Sequence, residues 1–393
     1  MCKKLKICLI GKYPPAKGGT ASSNYWLAKT LSYAGHEVYI VTDFSQKESY
    51  LEKIPEKYKK EYQPSGVKIF YPKSDHIPKF FPYKSHIDIL SGLAVYIVRK
   101  YNVDIIDSKY LFPYCWSGFI AKIITKKPLI VRHAGSDITY LMKNRYLRPL
   151  IEKVLKNADK IAIDPKKEKE LLKFGIEKNK FIFETGFGIS HKFFSEAKPI
   201  NISKFINKNI KGIPIITSLG KMYKYKGIVE LVKAASLLKN LDFFLLFIPE
   251  KENDKKYVKN IVKKYNLEEK TIFLDYQPPW LIPSIYKAST CVVCVEHNHP
   301  VYIHTPLVAI EALHAGACVI VSNETFRKQP FNSFKPEKNI IVVDPTDIKT
   351  FSEKLRDLIQ HPEKAKKIGN EANKMYFDYN IKKLVKIYYE LIG

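Results

Sequence analysis

A chain of 393 residues, 46% of them hydrophobic, holds more apolar material than one ordinary core buries, and about 100–200 residues per domain predicts two domains. Mean hydropathy is −0.22, and apolar runs such as Ile89–Val98 fall short of the ~20 residues that a membrane-spanning helix needs. Lys and Arg outnumber Asp and Glu by 66 to 39, a net charge of +27 that attracts phosphorylated or anionic partners, but the lysines are spread along the chain. With no RRM, KH or helix-turn-helix signature and no basic stripe, a nucleic-acid partner is not expected.

The amino terminus, Met-Cys-Lys-Lys-Leu-Lys-Ile-Cys-Leu-Ile, is basic and then apolar. It lacks a long apolar core and a small-residue cleavage site, so it reads as a first strand, Leu5–Ile10, of a cytoplasmic protein. Leu27, Leu31 and Ala34 share one helical face, predicting a helix over Ser22–Ala34 that ends at Gly35. Strands are expected at Val38–Thr42, Val103–Asp107, Leu129–Arg132 and Lys160–Ile163, with helical stretches between them.

The segment Gln46–Ser85 breaks this rhythm. Lys, Tyr, Phe and Pro crowd it, as in Pro78-Lys79-Phe80-Phe81-Pro82-Tyr83-Lys84, and it reads as a surface loop. Its interleaved basic and aromatic residues could also touch the inner face of a membrane or a lipid-linked acceptor, making the protein peripheral there.

After a polar stretch, Ala197–Lys211, the alternation restarts. Strands are expected at Ile213–Leu219, Phe243–Ile248, Ile272–Leu274, Cys291–Val295, Cys318–Ser322 and Ile340–Val343. Strands alternating with helices predict an α/β protein of two Rossmann-like halves, each with a parallel sheet covered on both faces and ligands at the carboxyl ends of its strands. The six cysteines are scattered, and Cys291-Val-Val-Cys294 lies in an apolar run with no second Cys/His pair at zinc spacing, so it reads as a buried strand. Neither a metal site nor a cofactor is expected. Asp107 and His36 read as structural.

The loop Gly11 to Thr20 holds Gly18 and Gly19 but not the G-x-G-x-x-G spacing, and alone it reads equally as a plain turn. The motifs gain specificity as an ordered set. Pro14-Pro15-x-x-Gly18-Gly19 is followed by Gly35-His36-Glu37-Val38, and Arg132-His133-Ala134-Gly135-Ser136-Asp137 follows a predicted strand. Then come Thr185-Gly186-Phe187-Gly188, Ser218-Leu219-Gly220-Lys221 with Tyr225-Lys226-Gly227, and Pro306 to Ile320. Together they resemble, over nearly the whole chain, the retaining glycosyltransferases of family 4, which have the GT-B fold.

That resemblance implies two Rossmann-like β/α/β domains facing a central cleft. The domains are an acceptor-side domain over 1–196 and a donor-binding domain over 197–372, with a terminal helix in 373–393 crossing back to the first. It implies transfer of a hexose from a UDP- or GDP-sugar, the only co-substrate, to a glycan or lipid-linked acceptor. Gly18, Gly19, Gly220, Lys221, Lys226, His304, Thr305, Pro306, Leu307 and Glu311 would line the donor site. Lys221 and Lys226, in one loop between a strand end and a helix start, would hold the diphosphate, whose charge grows as the glycosidic bond breaks. Lys221 stands where the family usually has arginine, keeping the charge but losing the fork. Glu311 would accept hydrogen bonds from the ribose hydroxyls, and His133 would lie at the sugar, oriented by Asp137 unless that residue caps the following helix. The family's first glutamate, eight residues before Glu311, is here Ile303. Glu296 could take its place, with His297 and His299 nearby. Its absence leaves a second reading open: a catalytically silent homologue that binds nucleotide or a partner.

Overall fold

Val, Ile and Leu dominate short runs that are buried on both faces, the condition for parallel strands sandwiched between helices. The computed structural model describes residues 4–43, 56–72, 86–134, 136–183, 190–206, 209–301, 304–375 and 381–393. They form two units, Met1–Ile189 with Tyr379–Gly393, and Ser190–Asp378.

The first unit contains a seven-stranded, all-parallel sheet: β1 (Lys6–Ile10), β2 (Glu37–Val41), β3 (Val67–Phe70), β4 (Ile105–Lys109), β5 (Leu129–Arg132), β6 (Lys160–Ile163) and β7 (Phe181–Phe183). Its spatial order is β3-β2-β1-β4-β5-β6-β7. The second unit has six parallel strands: β8 (Ile215–Gly220), β9 (Phe244–Pro249), β10 (Thr271–Phe273), β11 (Cys291–Cys294), β12 (Cys318–Ser322) and β13 (Ile341–Val343), in the order β10-β9-β8-β11-β12-β13. The order reverses beside β1 and β4 in one sheet and beside β8 and β11 in the other. Loops leaving such neighbouring strands run in opposite directions and open a crevice at the carboxyl edge.

Two departures from the sequence reading stand out. The segment 46–85 is not one loop: within its described part, Glu56–Tyr62 is a helix and Val67–Phe70 is an edge strand paired with β2 through Val38↔Val67. Pro64 follows that helix, so no proline interrupts it. The basic-aromatic stretch Pro78–Lys84 lies outside the described residues. The first helix starts at Gly19, three residues earlier than expected, and runs to Tyr33.

The first unit also contains the carboxy-terminal helix Ile381–Ile392, which buries Leu384 and Tyr388. The Tyr388 hydroxyl donates to Asp107 Oδ2 at 2.5 Å. The same carboxylate takes a two-pronged contact from Arg132, with Nε 2.6 Å from Oδ1 and Nη2 2.8 Å from Oδ2. Arg132 and Asp107 are 5% and 2% exposed, and each buried charge is compensated by the other. In the second unit Cys291 and Cys318 face each other across β11 and β12, buried as free thiols, and burial pushes both upward in pKa.

Candidate active site

The loop after β8 begins at Gly220, whose φ of 98° suits glycine and whose Cα faces open space. Lys221 follows, exposed, and Met222 turns inward into the core. A short 3-10 turn, Lys224–Lys226, then leads through Gly227 into the helix Ile228–Ser236. Gly227 has φ 71°, and a Cβ there would stand 2.7 Å from Val295 Cγ2 and closer still to the Val295 carbonyl oxygen. The missing side chain lets this loop press against the end of β11, and the contact is sealed by the His297 N–H donating to Tyr225 O at 2.9 Å. Gly227→Ala is therefore expected to destabilise the second unit by more than the ~1–2 kcal/mol of a left-handed backbone alone, read from its urea midpoint.

That close approach brings Lys226 onto Glu296, seventy positions away in sequence. The Lys226 ammonium contacts Glu296 Oε1, with the two side chains 17% and 2% exposed. His304 completes the cluster: its Nε2 lies 3.2 Å from Glu296 Oε2 and 3.4 Å from Lys226 Nζ. Burial works to raise the Glu296 pKa, but the His304 hydrogen bond and the Lys226 charge outweigh it and hold the carboxyl at about 2. The Glu296 backbone is pinned as well, since Ser322 Oγ donates to its carbonyl oxygen. Despite these neighbours, Glu296 Oε2 is buried without a hydrogen bond of acceptable geometry.

His299 stacks face to face on His304, centroids 4.1 Å apart and 7° from parallel. Burial, then the His304 charge, lowers its pKa to about 4. Glu296, His299 and His304 each bring a ligand atom within 4.8 Å of the others. A divalent cation nevertheless fits poorly: His299 Nδ1 already accepts the Val301 N–H at 3.1 Å, and the Lys226 ammonium already compensates the carboxylate.

Glu311 lies in the helix Leu307–Ala315, which Pro306 precedes. It is 4% exposed and accepts the Tyr286 hydroxyl at 3.0 Å, so its burial inside an apolar helix is compensated. Thr305 and Leu307 are half-buried beside Pro306, while Ile303 lies outside the described residues.

Gly18 and Gly19 belong to the first unit, where Gly19 opens the helix to Tyr33. His133 follows β5, and its Nε2 accepts the Asp164 N–H at 3.1 Å, which places the ring proton on Nδ1. Burial lowers its pKa, against the opposing pull of Asp137, whose Oδ1 lies 3.9 Å from Nδ1. Asp137 is itself bound to backbone, accepting the Leu111 and Ala134 N–H groups at 3.0 Å each. Gly135, and Thr185 to Gly188, fall outside the described residues.

A family model described as "Glycosyl transferases group 1" matches residues 200–375, and another, "Glycosyltransferase Family 4", matches 17–182. The chain belongs to the group 1, family 4 type of GT-B glycosyltransferases. Among solved structures, this glycosyltransferase resembles one from Rickettsia africae ESF-5 at 20% identity and TM-score 0.66, covering 99% of both chains. It also resembles the sucrose-phosphate synthase of Thermosynechococcus elongatus at 18% identity and TM-score 0.67, again over 99% of each. HepE from Anabaena, crystallised with UDP, aligns at 15% identity and TM-score 0.66 over 99% of this chain and 100% of the other. At these identities the likeness is one of fold. A search of curated protein sequences gives no match.

Sequence reasoning named Lys226, Glu296 and His304 one by one, and the structure brings the three together. It missed Tyr286, whose hydroxyl holds Glu311. A tyrosine in an apolar helix carries no local sign of that role.

Proposed function

We propose that this glycosyltransferase moves a hexose from a UDP- or GDP-sugar to a glycan or lipid-linked acceptor, with retention at the anomeric carbon. The observation that carries the reading is the cluster of Lys226, Glu296 and His304, built where the loops leaving β8 and β11 meet, in the loop that begins with Gly220 and Lys221. Lys221 and Lys226 would meet the diphosphate there, stabilising the charge that develops on the departing oxygen. Glu296, a buried carboxylate with an unsatisfied oxygen, would face the sugar in place of the glutamate that Ile303 replaces. Glu311 would take the ribose hydroxyls. His133 would act at the sugar through its backbone, since its Nε2 is already occupied. Gly18 and Gly19 would leave room for the acceptor. No metal enters this scheme; the departing phosphate deprotonates the acceptor on the face it leaves.

A cytoplasmic location fits a nucleotide-sugar donor, with peripheral attachment to the inner membrane face where the acceptor is lipid-linked. Among the described residues no helix is long and apolar enough to cross a membrane.

Calorimetric titration with UDP, GDP and their sugar conjugates tests the donor site; HepE, crystallised with UDP-glucose, makes that ligand the first to try. Glu311→Ala is expected to weaken binding, but it also strands the buried Tyr286 hydroxyl at a cost of about 1–3 kcal/mol. Glu311→Gln keeps an acceptor for Tyr286 and isolates the ribose contact, so its binding should fall with little change in the unfolding midpoint. Unaltered affinity in Glu311→Gln removes the ribose role. No binding of any nucleotide by the folded wild type favours the silent homologue.

A further inference from the structure

The Lys226–Glu296 pair poses a charge problem for any donor. As it stands, the ammonium is neutralised by the carboxylate, which lies away from water. A diphosphate entering beside this pair meets no net positive charge from it. If Lys226 turns to the phosphate, a carboxylate that is 2% exposed stays behind without its cation, next to an incoming anion. Buried carboxylates in that situation take a proton or acquire another cation.

His304 is the group placed to respond. Its Nε2 lies 3.4 Å from Lys226 Nζ and 3.2 Å from Glu296 Oε2, between the cation and the carboxylate. His299 is stacked on the ring, with centroids 4.1 Å apart. Moving Lys226 away removes one opposing influence and exposes the full attraction of the carboxylate; the diphosphate adds to it.

We propose that donor binding hands Lys226 from Glu296 to the diphosphate, while His304, already beside Glu296, takes up a proton and replaces Lys226 as its cationic partner. This rests on the donor-site reading above. The ammonium keeps its own protons throughout; the added proton comes from solvent to the His304 imidazole, and no bond between heavy atoms changes. His304 is then a positioning residue. It holds the carboxylate in place through the handover and makes donor affinity depend on pH. The liganded protein binds more protons than the free one, so affinity rises as pH falls.

The test is calorimetric titration of the full chain with UDP-glucose and with GDP-glucose, in two buffers of different ionisation enthalpy at the same pH. Both phosphates of these ligands are esterified, so neither adds a titrating group near neutrality. Wild type is expected to take up a measurable fraction of a proton per ligand near pH 7, seen as a binding heat that differs between the two buffers. His304→Gln is expected to bind with no uptake and with an affinity flat in pH. Glu296→Gln, which leaves nothing to be re-paired, is expected to bind with most of the uptake gone. Binding by wild type with no proton uptake overturns the handover, as does undiminished uptake in either variant. Absence of binding by folded wild type to both sugar nucleotides instead overturns the donor site itself, and the handover with it.

Discussion

Lys226→Ala is expected to cut sugar transfer at least about a hundredfold and, separately, to destabilise the second unit. The first effect follows from removing a cation aimed at the leaving diphosphate. The second follows from Glu296, whose carboxylate would stay buried with its principal cation gone. Breaking a buried pair from one side costs about 3–5 kcal/mol, and the 17% exposure of Lys226 places this case at the lower end. The two effects separate in Lys226→Ala/Glu296→Gln, where the urea midpoint should recover while transfer stays lost. The pH dependence has a definite sign. Glu296 is held at about 2 against an ordinary 4.5, so its contribution to stability is complete above 4.5 and disappears as pH falls towards 2. In Lys226→Ala that loss should begin at higher pH. Turnover near wild type in the single variant would sink the diphosphate role of Lys226, and an unchanged midpoint would sink the ion-pair argument.

Asp107→Ala should produce the largest loss of stability in the first unit, about 3–5 kcal/mol. Arg132 cannot shed its proton, and at 5% exposure it would keep a full charge among β-strand side chains with its two-pronged partner gone. Tyr388→Phe is milder, about 1.5–3 kcal/mol for a hydrogen bond to a charged group, because the Arg132–Asp107 pair survives. Denaturant unfolding ranks the two. Hydrogen exchange adds a reading specific to the terminal helix: amides of Ile381–Ile392 should exchange faster in Tyr388→Phe than in wild type. Equal exchange rates would show that the hydroxyl does not hold the helix down.

The strands that were readable from sequence share one property. β1, β5, β9 and β12 are mainly apolar runs buried on both faces, so composition alone marks them. β3 and β7 lie at the two edges of their sheet, span four and three residues, and carry an exposed Lys68 and Phe183. Edge position alone does not hide a strand, since β10 and β13 lie at the edges of the second sheet and were legible; in β3 the exposed Lys68 interrupts an already short apolar run. The candidate site divides in a similar way. Glycines and lysines near strand ends are visible as motifs, because a tight loop imposes local spacing. What joins Lys226 to Glu296 is the approach of two loops whose strands pair in the sheet, and no local spacing records it. The bond from Tyr388 to Asp107 reaches across 281 positions and depends wholly on the helix having docked.

That bond also bears on how the protein is made. A nascent chain emerges amino end first, and domains generally fold as units in that order, at about 5–20 residues per second. The first sheet is fully synthesised at β7, yet Tyr388 and the helix that carries it arrive roughly 200 residues later, on the order of ten to forty seconds behind. For that interval the surface due to receive Leu384 and Tyr388 stands open, and Asp107 lacks one of its partners. The second unit has every strand in hand before the first is finished. The half begun first is thus completed last, and a ribosome stalled before codon 381 would leave it uncapped and prone to aggregate.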